Sequence, residues 1–370
     1  LKLEQVDRKK LLPLLDELSG AVEDLLVTGL TTASDATVKT LHVSFQESSR
    51  MGLLRLGSTL RAVNEEVARF TKSEPGFSRR RLSFFLNRSW VLSKALKNAI
   101  DGNKADVFEK LMITPSPVAL DKVEVVTVGV VKRAATSFCA FDFRLRAVAD
   151  SGHIKKGANL VWSCIFPRAP GTSIPAEGYL HLPQKQKFKA TVFLEPKQIT
   201  IDKVTTSADA TGCQRITMTE GSLVTAGAAF EDWEPLMQWD QAAALQRVQS
   251  HQPGPFDLEV EMQEEVFFKD WLIQDSWQPD ESNIVFPVVT NLFPCEATVP
   301  KVGENSTLIA ELEALIKKKK DRGVLYGLMH YERCKMVLQP LTVFDKKGPK
   351  HLMISSEKID PKALLAALKF

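Results

Sequence analysis

The sequence predicts an α+β protein, an N-terminal helical bundle followed by a mainly antiparallel β domain with a helical insertion and a small α/β C-terminal segment. Three observations carry this. Leu53, Leu56, Leu60, Val63, Val67 and Phe70 recur at alternating spacings of three and four, one helical face that must be buried against other helices. After about residue 120 the pattern changes to β-branched runs such as VEVVTVGVV, bounded by turn residues. Helical patterns then interrupt the strands only at residues 233–249, from Ser306, and at the C-terminus.

In chain order, Leu11, Leu14, Leu15, Leu18, Val22, Leu25 and Leu26 form the apolar side of a first helix, expected to begin close to Pro13 because proline is tolerated in a first turn. Thr28, Gly29 and TTASD end it, and Ser34 or Asp35 caps a second helix carrying Val38, Leu41 and Phe45. Ser48, Ser49 and Gly52 interrupt the pattern before the central seam, as a kink or a full break. After the SEPGF loop a helix from about Ser78 buries Leu82, Phe85, Leu86, Leu92, Leu96 and Ile100 and stops at Asp101 and Gly102. A short amphipathic piece, Ala105–Met112, closes a bundle of three or four antiparallel helices over residues 1–114, with Pro115 and Pro117 at its boundary.

The β domain spans residues 120–300. Its expected strands are VEVVTVGVV, SFCAFDFRLRAVA, ANLVWSCIF, GYLHL, KFKATVFLE, ITIDKVTT, RITMTEGSLV, FDLEVEM, EEVFFKDWLIQDS and NIVFPVV, which suggests a sheet, sandwich or half-barrel. The inserted helix at 233–249 ends before PGP. In residues 301–370 a helix with Leu308, Leu312, Leu315 and Ile316 inside ends in a cationic turn at 317–320 and Gly323. VLYGLMHYERCKMVLQPLTVF then reads as two strands, HLMIS as a third, and DPKALLAALKF as a final helix; the segment either completes the second domain or stands beside it. No repeat of fixed period is visible.

The 48 basic and 45 acidic residues leave a net charge of +3, too small to imply a nucleic-acid or membrane partner by itself, so any basic function must be local. Five scattered cysteines read as reduced thiols, and no run of about 18 apolar residues is present. These features predict a cytoplasmic, unanchored protein with no membrane partner; the initial Leu leaves a missing N-terminal extension open.

Reaction motifs are sparse. Of the histidines, only His330 has a cysteine at metal-ligand spacing, Cys334, and in a strand residues four apart sit about 13 Å from one another. There is no nucleophile elbow and no glycine-rich phosphate cradle, and adjacent carboxylates such as Glu65 with Glu66 splay apart. No catalytic residue, cofactor or metal is expected. The strongest local signal is basic. Arg79, Arg80, Arg81, Arg88 and Lys94 are candidates for phosphate or nucleic-acid contact along the third helix of the bundle's core, with Glu65, Glu66 and Glu74 as competing intramolecular partners. Trp271, Trp277 and Phe268 are candidates for a partner-facing aromatic surface, and core packing explains them equally well.

The strings EDLLVTGLTTAS, SSRMGLLRLGSTLR, RRRLSFFLNRSWVLSKAL, GANLVWSCIFP and CKMVLQPLTVF resemble the region outside the zinc finger in bacterial SWIM-type zinc-finger proteins and their uncharacterised relatives. That family's C-x-C and C-x-H ligands have no counterpart here, so neither a metal ligand nor the DNA binding attributed to the finger carries over. The resemblance implies a cytoplasmic bacterial accessory protein working beside a multi-component system. Together these readings lead to a non-catalytic interaction or adaptor protein with an unidentified protein partner. Nucleic-acid binding through the basic helix is the alternative, and an unrecognised hydrolase a further one. The oligomeric state stays open, with the seam expected to pack internally.

Overall fold

A computed structural model describes residues 2–73, 77–112, 117–134, 138–168, 174–208, 213–250, 263–301, 304–318, 321–332 and 335–355. They divide into two compact units, one up to Met112 and the other from Pro117 onward, and the chain is α+β.

The first unit holds α1 (Arg8–Thr28), α2 (Asp35–Arg50), α3 (Leu54–Thr71), α4 (Arg79–Asp101) and α5 (Ala105–Met112). α1 packs on α2 and α4, and α3 packs on α2 and α4. Pro13 lies inside α1 and not at its start: burial of Leu11, Leu14 and Leu15 holds the turn around it, which outweighs the amide bond proline cannot make. Ser34 caps α2, accepting from the Thr37 amide at 3.1 Å. The break between α2 and the seam is complete, because Gly52 takes φ +74, a conformation that L side chains rarely adopt. Leu53, Leu56, Leu60, Val63 and Val67 are buried within this bundle, so the seam packs internally.

The second unit contains two barrels. The first comprises β1 (Val118–Ala134), β2 (Phe138–Ala147), β3 (Asn159–Pro167), β4 (Lys197–Ala208) and β5 (Gln214–Ala229), closed in the order β1-β2-β3-β5-β4. All pairs are antiparallel except β3 with β5. After α6 (Gln241–Ser250) come β6 (Glu264–Phe268), β7 (Trp271–Ile273), β8 (Asn283–Thr290), β9 (Pro294–Pro300), α7 (Ser306–Lys317), β10 (Val324–Glu332), β11 (Lys335–Asp345) and β12 (Gly348–His351). Their sheet runs β6-β10-β11-β9-β8-β7, with β12 beside β11 and β9 parallel to β11. Only Lys269 and Asp270 separate β6 from β7. Counted as one bent strand, they make the second sheet repeat the connectivity of the first, including its parallel pair. The first is a closed five-stranded barrel with the strand order of the OB type. The second, a seven-stranded sheet closed through that bent strand, follows the same order and is termed the second barrel. Of the segment beyond 301, β10, β11 and β12 belong to the second sheet.

Two expected strands are absent. GYLHL and KFKATVFLE form short 3-10 helices, Ala176–His181 and Ala190–Leu194, in the β3–β4 connection. Pro175, Pro183 and Pro196 punctuate this region and deny it a continuous ladder, while Tyr179, Leu180 and Phe193 fill the core of the first barrel. HLMIS leaves β12 at His351 and continues as a turn. FDLEVEM and DPKALLAALKF lie outside the described residues. The inserted helix is shorter than its pattern, since Glu234–Met237 is a separate 3-10 turn ahead of α6.

The barrels share an ionic and aromatic contact. Glu265 on β6 pairs with Arg146 at 2.5 Å and with Arg144 at 3.5 Å, both on β2. Burial, the largest single effect, opposes the charge on each guanidinium, and Glu265 together with Tyr326 and weaker neighbours outweighs it, so both stay protonated. Arg146 also lies over the Phe267 and Tyr326 rings, 5.5 and 6.0 Å from their centroids. Gly129 on β1 makes the space for Tyr326: a Cβ there would stand 2.9 Å from the ring's Cδ1 and closer still to Cε1. Arg168 adds a second tie, pairing with Glu304 at 2.8 Å.

Two outcomes follow for stability. Gly129→Leu drives a side chain into the Tyr326 ring and should lower unfolding free energy by about 2 kcal/mol or more, read as a reduced urea midpoint at unchanged slope. His351 is buried with Nδ1 3.0 Å from the Thr342 hydroxyl, and burial pushes its pKa down to about 4. The unfolded chain takes up this proton near pH 6.5 and the folded chain only near pH 4, so stability is full above pH 6.5 and falls as pH drops through that window, by about 3 kcal/mol at pH 4. His351→Gln should flatten that part of the midpoint-against-pH curve; an unchanged slope would remove His351 as its source.

Candidate functional site

A polar row crosses the outside of the first barrel. In β2 the inward positions are Cys139, Phe141, Phe143, Leu145 and Ala147, all in the barrel core, which turns Asp142, Arg144 and Arg146 outward. Asp142 accepts from Arg133 on β1 at 2.7 Å and from the Ser163 hydroxyl on β3 at 2.5 Å. Ser163 in turn accepts from Arg215, near the start of β5, at 3.0 Å. Four strands thus contribute Arg133, Asp142, Ser163 and Arg215 to one hydrogen-bonded line.

Its charge balance is two guanidiniums against one carboxylate. Arg133 keeps 58% of its side chain exposed and Arg215 is exposed, so both present free N–H groups to solvent. Arg133 lies at the end of β1 and Arg215 near the start of β5. Ile165, two residues beyond Ser163 on the same face of β3, is 65% exposed. Further along β2 the face is closed, because Arg144 and Arg146 are engaged by Glu265. The rings of Phe141, Phe143, Trp162 and Phe166 all point into the core, stacking as Phe143 does on Trp162 at 5.2 Å.

The basic helix expected from the sequence is α4, and its cations are largely spent inside the first unit. Arg88 is only 2% exposed, so its guanidinium belongs to the bundle interior and not to an outward stripe. Arg81 lies 3.4 Å from the buried Glu66, which also accepts from Arg69 and from the Ser78 amide. Lys94 pairs with Glu23 at 3.4 Å and sits over Trp90, and Lys97 pairs with Asp16 at 2.6 Å. Arg79 and Arg80 remain exposed at the helix start. Glu74 lies outside the described residues.

Of the aromatic candidates, Trp271 and Phe268 are buried in the core of the second barrel, and Trp277 is 47% exposed. Trp277 is held by main-chain hydrogen bonds to Val285 in both directions, at 2.9 and 3.0 Å. Among the described residues no group of three or more His, Cys, Asp and Glu is placed to hold a metal ion, and Cys334 falls outside them. Burial pushes the Cys139 thiol up to about 11 and those of Cys164 and Cys295 up to about 12, so all three are neutral thiols near pH 7. No described helix is long and apolar enough to cross a membrane.

The row of Arg133, Asp142, Ser163 and Arg215 was not singled out by sequence reasoning. Its one sequence signal is the alternation of β2, which sets Asp142, Arg144 and Arg146 opposite the apolar positions. Ser163 and Arg215 reach Asp142 only through cross-strand pairing.

No protein-family model matches the chain, and no curated protein does. Among solved structures, the chain is similar to a HINa domain in complex with 20-base-pair double-stranded DNA, at 11% identity over 60% of this chain and 93% of that one, with a TM-score of 0.30. It is similar to a murine DNA-binding protein bound with double-stranded DNA, at 9% identity, 59% and 90% coverage and a TM-score of 0.27. It is also similar to a replication protein A heterotrimer bound to single-stranded DNA, at 8% identity, 62% and 50% coverage and a TM-score of 0.31. These scores are too low to bear on fold or function, and the OB-type assignment rests on strand order alone.

Proposed function

We propose that the second unit binds nucleic acid on the outer face of its first barrel. The observation that supports this is the braced pair Arg133 and Arg215, set across an OB-type barrel at the end of β1 and near the start of β5. A guanidinium fork matches phosphate oxygens, and Asp142 and Ser163 hold both forks before a ligand arrives, which limits the rotamer entropy lost on binding. Ile165 offers apolar surface to a sugar or base edge. With no ring exposed on β2 or β3, affinity comes from phosphate contacts and is steeply salt-dependent. OB barrels also take oligosaccharides, so the fold alone does not choose; two exposed cations favour a polyanion over a neutral sugar.

A second reading, the adaptor role in a bacterial multi-component system, rests on Trp277. A half-exposed indole carried on a backbone held by main-chain pairing is the type of anchor that protein interfaces use.

Fluorescence anisotropy of a labelled oligonucleotide across a salt series tests the first reading. R133Q/R215Q should weaken binding at least tenfold and reduce the slope of log affinity against log salt by about 2. R79Q/R80Q on α4 should leave both unchanged. Binding that persists in R133Q/R215Q and disappears in R79Q/R80Q would move the interface to the helical unit.

A further inference from the structure

We propose a second anion site, on the second barrel, that takes a ligand bearing two or more linked phosphoryl groups. It is a cleft of ≈ 470 Å³ where the end of α7, the start of β10 and the β11–β12 turn meet, lined by Lys318, Lys346 and Lys347 with Asp321, Asp345 and Phe344.

The lysines are the reason. Some surface lysines of this unit have carboxylate partners, as Lys122 with Glu124 and Lys335 with Glu296, and others have none among the described residues. What sets Lys318, Lys346 and Lys347 apart is that three unpaired ammoniums line one cleft. Lys318, Lys346 and Lys347 make no ion pair among the described residues. Cations at a helix C-terminus ordinarily answer the helix dipole, which accounts for Lys317 and Lys318. It does not account for Lys346 and Lys347, which sit on a turn between strands.

The surroundings hold these groups together. The ion pair of Lys350 with Glu311 fastens β12 to α7, so the turn and the helix end keep their relative position. Asp345 is occupied in building the turn, accepting from the Lys347 amide at 2.8 Å. Arg322 donates to the Lys318 carbonyl at 2.8 Å and to the Trp271 carbonyl at 3.2 Å, covering part of the negative end of the helix. Among the described residues the lining charges are three ammoniums against two carboxylates, so a monoanion gains little. A chain of phosphoryl groups can meet several lysines at once, each acting as a point charge.

Inorganic tripolyphosphate is the probe, titrated calorimetrically into the full chain at low salt. The intact protein should bind it, K346Q/K347Q should weaken binding at least tenfold, and K318Q should weaken it several-fold, each with an unchanged circular-dichroism melt. R133Q/R215Q should bind it normally, which separates this site from the nucleic-acid reading. The proposal is overturned if the intact chain does not bind, or if K346Q/K347Q binds as tightly as the intact chain. A short DNA duplex added to the loaded protein identifies the source: displacement that survives R133Q/R215Q assigns the cleft to a nucleic-acid backbone, and retention assigns it to a free polyphosphate.

Discussion

Glu265 is the group on which the second unit depends. It stands buried between two arginines of β2, and each of these three ions would cost several kcal/mol to take out of water alone. Their mutual attraction, with Arg146 lying over two aromatic rings, offsets that cost only in this geometry. A hydrophobic contact tolerates sliding, whereas three buried charges do not. The clamp therefore sets the register of one barrel against the other, and Tyr326 seated over Gly129 adds a steric stop to the electrostatic one.

β2 carries both the clamp and the proposed interface. Asp142, Arg144 and Arg146 follow one another on the same face, so the carboxylate that braces Arg133 is one pleat away from the pair held by Glu265. This closeness explains why half of the strand's outer face is shut and half is open. It also means that the position of Arg133 and Arg215 inherits its rigidity from a contact they do not make.

Much of the architecture was legible in the sequence. The seam of α3, the Ser34 cap and the change to β-branched runs are local signals, and local signals survive folding. GYLHL and KFKATVFLE misled because apolar residues that plug the end of a barrel alternate by chance as strand residues do. The repeated barrel was invisible, since two sheets of the same connectivity need share no residue pattern beyond alternation. Basic residues on α4 were legible as a charge run and Glu66 as a competing partner, but not Glu23 and Asp16, which lie far away in sequence on α1. The proposed interface was the least legible part: its members are spread from Arg133 to Arg215, and only cross-strand pairing aligns them.

The bent strand of the second barrel has a consequence for how that barrel comes apart. Its two halves serve different neighbours, β6 pairing with β10 and β7 with β8, around the break at Lys269 and Asp270. β7 contributes only three residues of ladder, while β6 contributes five and carries Glu265. Closure is thus a seam with a short flap: β7 can peel from β8 while β6 stays paired and the clamp stays shut. Amide protons of β7 should then exchange by a local opening, and those of β6 only when the whole unit unfolds.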